Sequence, residues 1–164
     1  MKLERLREAA ELVGIAAVVV SLIFVGLEVR QSAAATRGAT QQALADSARE
    51  ASAALVADKE TAELTLRFLS ADDWSSFSEV ERFRIVLLFT SLLRVYEDAH
   101  YQWSEGNLAP ELWTGWDVSM RGAAPMPGIA KYWVERRDYF NEGFRLYYEE
   151  LMKQAFDNPS LGTQ

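Results

Sequence analysis

Leu12 to Leu27 (LVGIAAVVVSLIFVGL) is a run of sixteen residues without a charge, bounded by Glu11 and Glu28. Extended by Ala9, Ala10 and Val29 and wound at about 1.5 Å per residue, it makes a helix of roughly 30 Å, the thickness of a bilayer's hydrocarbon core. Both glutamates then sit where a side chain reaches the interface. The pattern predicts a single membrane-spanning helix in an anchor of residues 1–30. Two alternatives stay open. A cleaved secretory signal also places an apolar stretch after basic residues, here Lys2, Arg5 and Arg7, and Ala33-Ala34-Ala35 has the small side chains of a cleavage site. Acidic Glu4, Glu8 and Glu11 in the leader, and charged Glu28 and Arg30 beside the cut, count against it. A buried core helix of a soluble bundle shows the same hydropathy. A strand is excluded by length, despite the β-branched Val18, Val19, Val20, Ile23 and Val25.

After Arg30 the pattern changes. Residues 31–57, rich in Ala, Gln, Glu and Arg, have high helix propensity and a thin apolar stripe of Ala43, Leu44, Ala48, Ala51 and Leu55. They read as a helical neck continuing the span, with Gly38 as a soft point costing about 1 kcal/mol relative to alanine. Residues 58–157 read as an all-α head, and 158–164 as a flexible tail. Within the head, Asp58–Leu69 is a helix and Ser70–Ser76 a loop. Ser78 with Glu81 forms a capping box opening a long helix through Ser104, which Gly106 stops. Pro110 starts another helix, the APMPG stretch at Ala124–Gly128 breaks it, and Ile129–Phe140 and Glu142–Phe156 complete the bundle. The long helix carries Val80, Phe83, Val86, Leu87, Phe89, Leu93, Tyr96 and Ala99, and is apolar nearly all round at Ile85–Phe89. It is therefore expected at the centre, wrapped by the two C-terminal helices and the Asp58–Leu69 helix. The fold class is all-α, an N-terminal transmembrane helix continuing into a helical neck and a small helical-bundle head.

Composition sharpens this division. Of nineteen aromatic residues only Phe24 precedes residue 68, so the packed core must lie in Phe68–Phe156. Residues 1–30 hold four basic and four acidic side chains, so the net charge of −7 resides in 31–164, where thirteen basic residues face twenty acidic ones. Such a surface repels phosphate backbones, and nucleic acid is not an expected partner. The absence of cysteine excludes disulfides, thiolate metal sites and cysteine nucleophiles. Basic residues flank the span almost evenly, Lys2, Arg5 and Arg7 against Arg30 and Arg37, with a slight lean to a cytoplasmic head.

Few residues suggest chemistry. Glu97 and His100 form an E-x-x-H step on one helix face, the half-motif of a di-iron bundle. With a single histidine in the chain, only a mononuclear site completed by Glu149 or Glu150 is open. No G-x-S-x-G elbow and no phosphate-binding glycine loop occurs. Arg82, Arg84, Arg94, Arg136 and Arg137 lie among apolar residues and need carboxylate partners or an anion, with Arg94–Glu97 and Glu81–Arg84 as local pairs. Trp113, Trp116, Trp133, Arg136 and Arg137 are the candidate grip on a small anionic or aromatic ligand. In the span, Ala10, Gly14, Ala17 and Ser21 recur at intervals of four, three and four, a small-residue seam of the kind that lets transmembrane helices approach.

The span ending VGLEVRQS, ERFR at Glu81–Arg84, LLRVYEDAHYQWSEGNL at Leu92–Leu108, LWTGW at Leu112–Trp116 and PGIAKYWVERRDYF at Pro127–Phe140 together resemble a widespread group of uncharacterised bacterial single-pass membrane proteins. The likeness covers most of the chain. It departs at Tyr132-Trp133, where members carry two tryptophans, and near Asn141–Glu142, where they carry a proline. The resemblance implies a bacterial inner-membrane anchor and an all-α head, and no reaction. The expectation is a non-enzymatic, cofactor-free, self-associating scaffold whose partners are the bilayer and a second copy or another membrane protein. A ligand-sensing head is the alternative, and a metal-dependent enzyme ranks third.

Overall fold

The computed structural model describes residues 2–157, with side-chain surroundings from residue 14 onward. The expected tail, 158–164, lies outside the described residues. Among the described residues all regular structure is helical: α1 (Lys2–Leu55), α2 (Lys59–Leu69), α3 (Glu79–Ser104), α4 (Pro110–Ala123), α5 (Pro127–Arg136), a 3-10 turn (Arg137–Tyr139) and α6 (Glu142–Asp157). The chain divides into two compact units, one ending at Ala39 and the other beginning at Thr40.

In the first unit α1 passes Gly38 without a break. Its apolar run makes α1 a helix long and apolar enough to cross a membrane, and none of its most apolar window is buried. In the second unit the last turns of α1 bring the two leucines of the alanine-rich stripe to the core, while Ala43 stays exposed and Ala48 and Ala51 are half-buried. Leu44 is buried and Leu55 packs beside the cluster, while the Leu55 carbonyl accepts a hydrogen bond from Thr65 Oγ1 at 3.0 Å. Part of the segment that reads as a polar neck thus shares in the core of the head.

Local chemistry sets the ends of the head's helices. Asp58 caps α2, accepting from the Thr61 amide at 2.7 Å. Ser78 and Glu81 form the expected reciprocal box on α3, with Glu81 accepting from the Ser78 amide at 2.8 Å. The Ser78 amide, helped by Arg67, holds the Glu81 carboxyl down at about 2 from an ordinary 4.5. Gly106 ends α3 with φ of 73°. Its amide donates to Trp103 and that of Asn107 to Gln102, the doubly bonded stop that needs a left-handed residue at this position. Prolines open α4 and α5, where a missing N–H costs nothing.

The core gathers Phe68, Phe89, Tyr132, Trp133, Phe144 and Tyr148, as the uneven distribution of aromatics requires. α3 packs against α2, α4 and α6. α5 instead lies mainly on α2, and reaches α3 through Tyr132, whose ring neighbours Phe89 and whose hydroxyl bonds Thr90. To the expected neighbours of α3, which are α2, α5 and α6, the structure adds α4. One side of α3 is also uncovered. Val80, Phe83 and Leu87 are exposed, Phe83 at 64%, because the neighbouring helices close only part of its circumference.

Candidate functional site

In the first unit, the side chains from Gly14 to Val29 are exposed, with Ile15, Val18, Leu22 and Phe24 each more than half accessible. Gly14, Ala17 and Ser21 of the small-residue seam are among them; the side chain of Ala10 lies outside the described residues.

In the head, Glu97 is nearly enclosed, at 8% exposure. One carboxylate oxygen accepts from the Asn141 amide at 2.6 Å and from Asn141 Nδ2 at 2.8 Å; the other accepts from Arg94 at 2.6 Å. Asn141 is thereby oriented so that its Oδ1 accepts from the Phe144 amide at 2.9 Å, capping α6. Arg94 also donates to the Tyr139 carbonyl and lies 5.1 Å from the Phe140 ring centroid. The carboxylate thus fastens the turn before α6 to α3. An open depression of about 460 Å³ lined by Arg94, Glu97, Asp98, Tyr101 and Asn141 lies over this network.

His100, one turn further along α3, meets rings rather than carboxylates. Tyr147 and Phe144 of α6 lie 4.7 and 5.8 Å away, Trp113 of α4 at 5.6 Å and Trp103 at 5.9 Å. Burial alone pushes the imidazole below its ordinary value of 6.5. The unfolded chain therefore binds this proton at a higher pH than the folded one. Stability is expected to fall as pH drops below about 6.5 and to level off once the folded imidazole is protonated. With one histidine in the chain, that window belongs to His100, since the carboxyls of Asp58, Asp73 and Glu81 are held below their ordinary values and lose their contribution at lower pH. Urea midpoints at pH 7 and 5.5 should converge in His100→Phe; an unchanged slope would place the titration elsewhere.

Glu149 pairs with Arg137 at 3.1 Å, and Glu150 accepts from Gln154 at 2.8 Å. Neither is engaged with Glu97 and His100, and no group of three or more His, Asp or Glu among the described residues is arranged to hold a metal ion.

The candidate ligand residues are dispersed. Trp113 is buried in the ring set around His100 and stacks on Trp103 at 4.8 Å. Half-buried Trp116 meets Tyr96 edge-on at 5.6 Å. Trp133 packs on Phe140 and Tyr148 at 5.4 and 4.4 Å. Phe144 neighbours both His100 and Trp133, so it stands between the two ring sets. Arg136 lies over Tyr139 at 5.8 Å, and Arg137 is taken by Glu149. Of the expected arginine pairs, Arg94–Glu97 forms, whereas Glu81 pairs with Arg67 at 2.7 Å and Arg84 with Glu60.

Sequence reasoning missed a second network. Asp117 binds Arg121 at 2.7 Å and accepts from the Tyr147 hydroxyl, and Arg121 donates to Gln154 at 2.6 Å, joining α4 to α6. Burial, then the Asp117 bond, raises the Tyr147 phenol well above its usual range. The i,i+4 spacing of Asp117 and Arg121 signals their pair; nothing local signals Tyr147. Comparison of the chain with protein-family models, curated proteins and solved structures gave no match to any of them.

Proposed function

We propose that this is a membrane-anchored, non-enzymatic helical protein that self-associates through its span and presents its head as an interaction platform. The observation that carries this reading is the uncovered apolar surface of α1 from Gly14 to Val29. Water disfavours such a surface, whereas lipid is an apolar solvent for it and the helix satisfies its own backbone there. The resemblance to bacterial single-pass proteins supports the same placement, an inner membrane, with Arg30 and Arg37 favouring a cytoplasmic head. Alkaline extraction and detergent light scattering test it. Release of the chain by alkali removes the anchor, and a strict monomer at high concentration removes self-association.

The seam supplies a sharper test. A Cβ at Gly14 meets nothing within 4 Å, so a larger side chain is accommodated within the single chain. Gly14→Leu with Ala17→Leu is expected to raise the dissociation constant of the helix pair by holding two spans apart. An unchanged dissociation constant in detergent would move the contact off the seam. A reporter fused after Gln164 decides the side of the head.

A further inference from the structure

α5 and α6 leave an open apolar trough of about 620 Å³ between them. Pro127, Ala130 and Val134 line it at intervals of three and four along α5, and Met152 and Phe156 four apart along α6. Val134 is 70% exposed and Phe156 53%. Two apolar ridges flanking a groove match the ridges of a third helix with apolar side chains at i, i+3 or i+4, and i+7. The ten residues of α5 give it about 15 Å of length, some three turns of a partner helix.

The rim decides the partner's chemistry. Asp72 lines the trough together with Lys131. Lys131 is 3.4 Å from Glu135, and it also acts on Asp73, whose carboxyl is held down first by hydrogen bonds from Ser75 and in smaller part by this ammonium. At this rim the carboxylates of Asp72, Asp73 and Glu135 outnumber the single cation Lys131, which Glu135 already engages. We propose that the trough docks an amphipathic helix with basic flanks, carried by a partner protein. This deepens the reading of the head as an interaction platform and rests on the anchor, which co-elution of the chain with the nanodisc checks before peptide is added. A second copy of the chain is a poorer match, because residues 31–164 hold twenty acidic against thirteen basic residues, and anionic lipid is repelled by the same rim.

The test uses the full chain in phosphatidylcholine nanodiscs and a fluorescein-labelled helical peptide with leucines on one face and lysines on the other. A saturable, salt-sensitive rise in anisotropy is expected. Val134→Gln with Phe156→Gln should weaken it about tenfold or more, since two apolar anchors are removed. Asp72→Lys with Glu135→Lys should also weaken it, and the peptide with glutamates in place of lysines should not bind. Asp72, Val134 and Phe156 line the trough and Glu135 pairs with its Lys131; all four are exposed, and an unchanged thermal midpoint verifies folding. The proposal is overturned if the glutamine variant binds as tightly as the parent chain, if the glutamate peptide binds equally well, or if binding is matched by empty nanodiscs. It is equally overturned if the glutamine substitutions lower the mass of the assembly, which would place a second copy in the trough.

Discussion

Gly128→Ala is expected to destabilise the head by about 3 kcal/mol, at the upper end of what one added carbon costs in a packed interior. A Cβ at this position would stand 1.8 Å from the Phe68 carbonyl oxygen and 2.7 Å from its carbon. Both are backbone atoms of α2, so no rotamer change relieves the clash, and α5 has to move off α2. That movement disturbs the packing of Ile129, Tyr132 and Trp133, all buried on the same helix. The thermal midpoint should fall by about 10 °C, read by tryptophan fluorescence in detergent. Gly115→Ala is the control: nothing lies within 4 Å of its Cβ and the site is an exposed helix interior. There alanine should stabilise by about 0.5–1 kcal/mol. Equal midpoints for the two variants would mean that α5 does not approach α2 at Gly128.

Glu97→Ala is expected to cost a similar ~3 kcal/mol, for a different reason. The substitution removes the acceptor for the Asn141 amide and side chain and the partner of Arg94. Arg94 is half exposed and recovers hydration, so the larger share falls on Asn141 and on the start of α6 that it caps. Glu97→Gln keeps an oxygen that can accept both Asn141 protons but turns an NH2 donor toward Arg94, whose half-exposed guanidinium can turn to water, so it should cost about 1 kcal/mol. A double-mutant cycle with Asn141→Ala should give a coupling of ~1–2 kcal/mol. Hydrogen exchange at the Phe144 amide should accelerate in Glu97→Ala and remain slow in Glu97→Gln. If both variants unfold at the parent's midpoint, the carboxylate is not the fastener of α6.

The same network changes the sense of the E-x-x-H step. Read along the helix, Glu97 and His100 share a face and suggest a metal. In the folded head Glu97 is engaged by Asn141 and Arg94, and His100 is walled by aromatic rings from three helices. The tryptophans follow the same logic. Trp113 and Trp133 are core residues in separate ring sets, although along the chain they look like two walls of one pocket.

What the sequence determined by itself was the helical architecture and its punctuation. Asp58, the Ser78–Glu81 box, Gly106 and Pro110 act on amides and carbonyls within a few residues of themselves, so those boundaries were legible where they stand, whereas the helix expected over Ile129–Phe140 begins at Pro127 and ends at Arg136, its last residues forming the 3-10 turn. The apolar run of α1 was legible for the same reason, since hydropathy is a property of consecutive residues. Tertiary structure alone decided what each helix face meets. Glu97 and Asn141 are 44 positions apart, Gly128 meets Phe68 across two intervening helices, and Val80, Phe83 and Leu87 are exposed although their spacing resembles a core face. Helical periodicity states that a face is apolar; only the packing of other helices determines whether that face is covered, and by which residues.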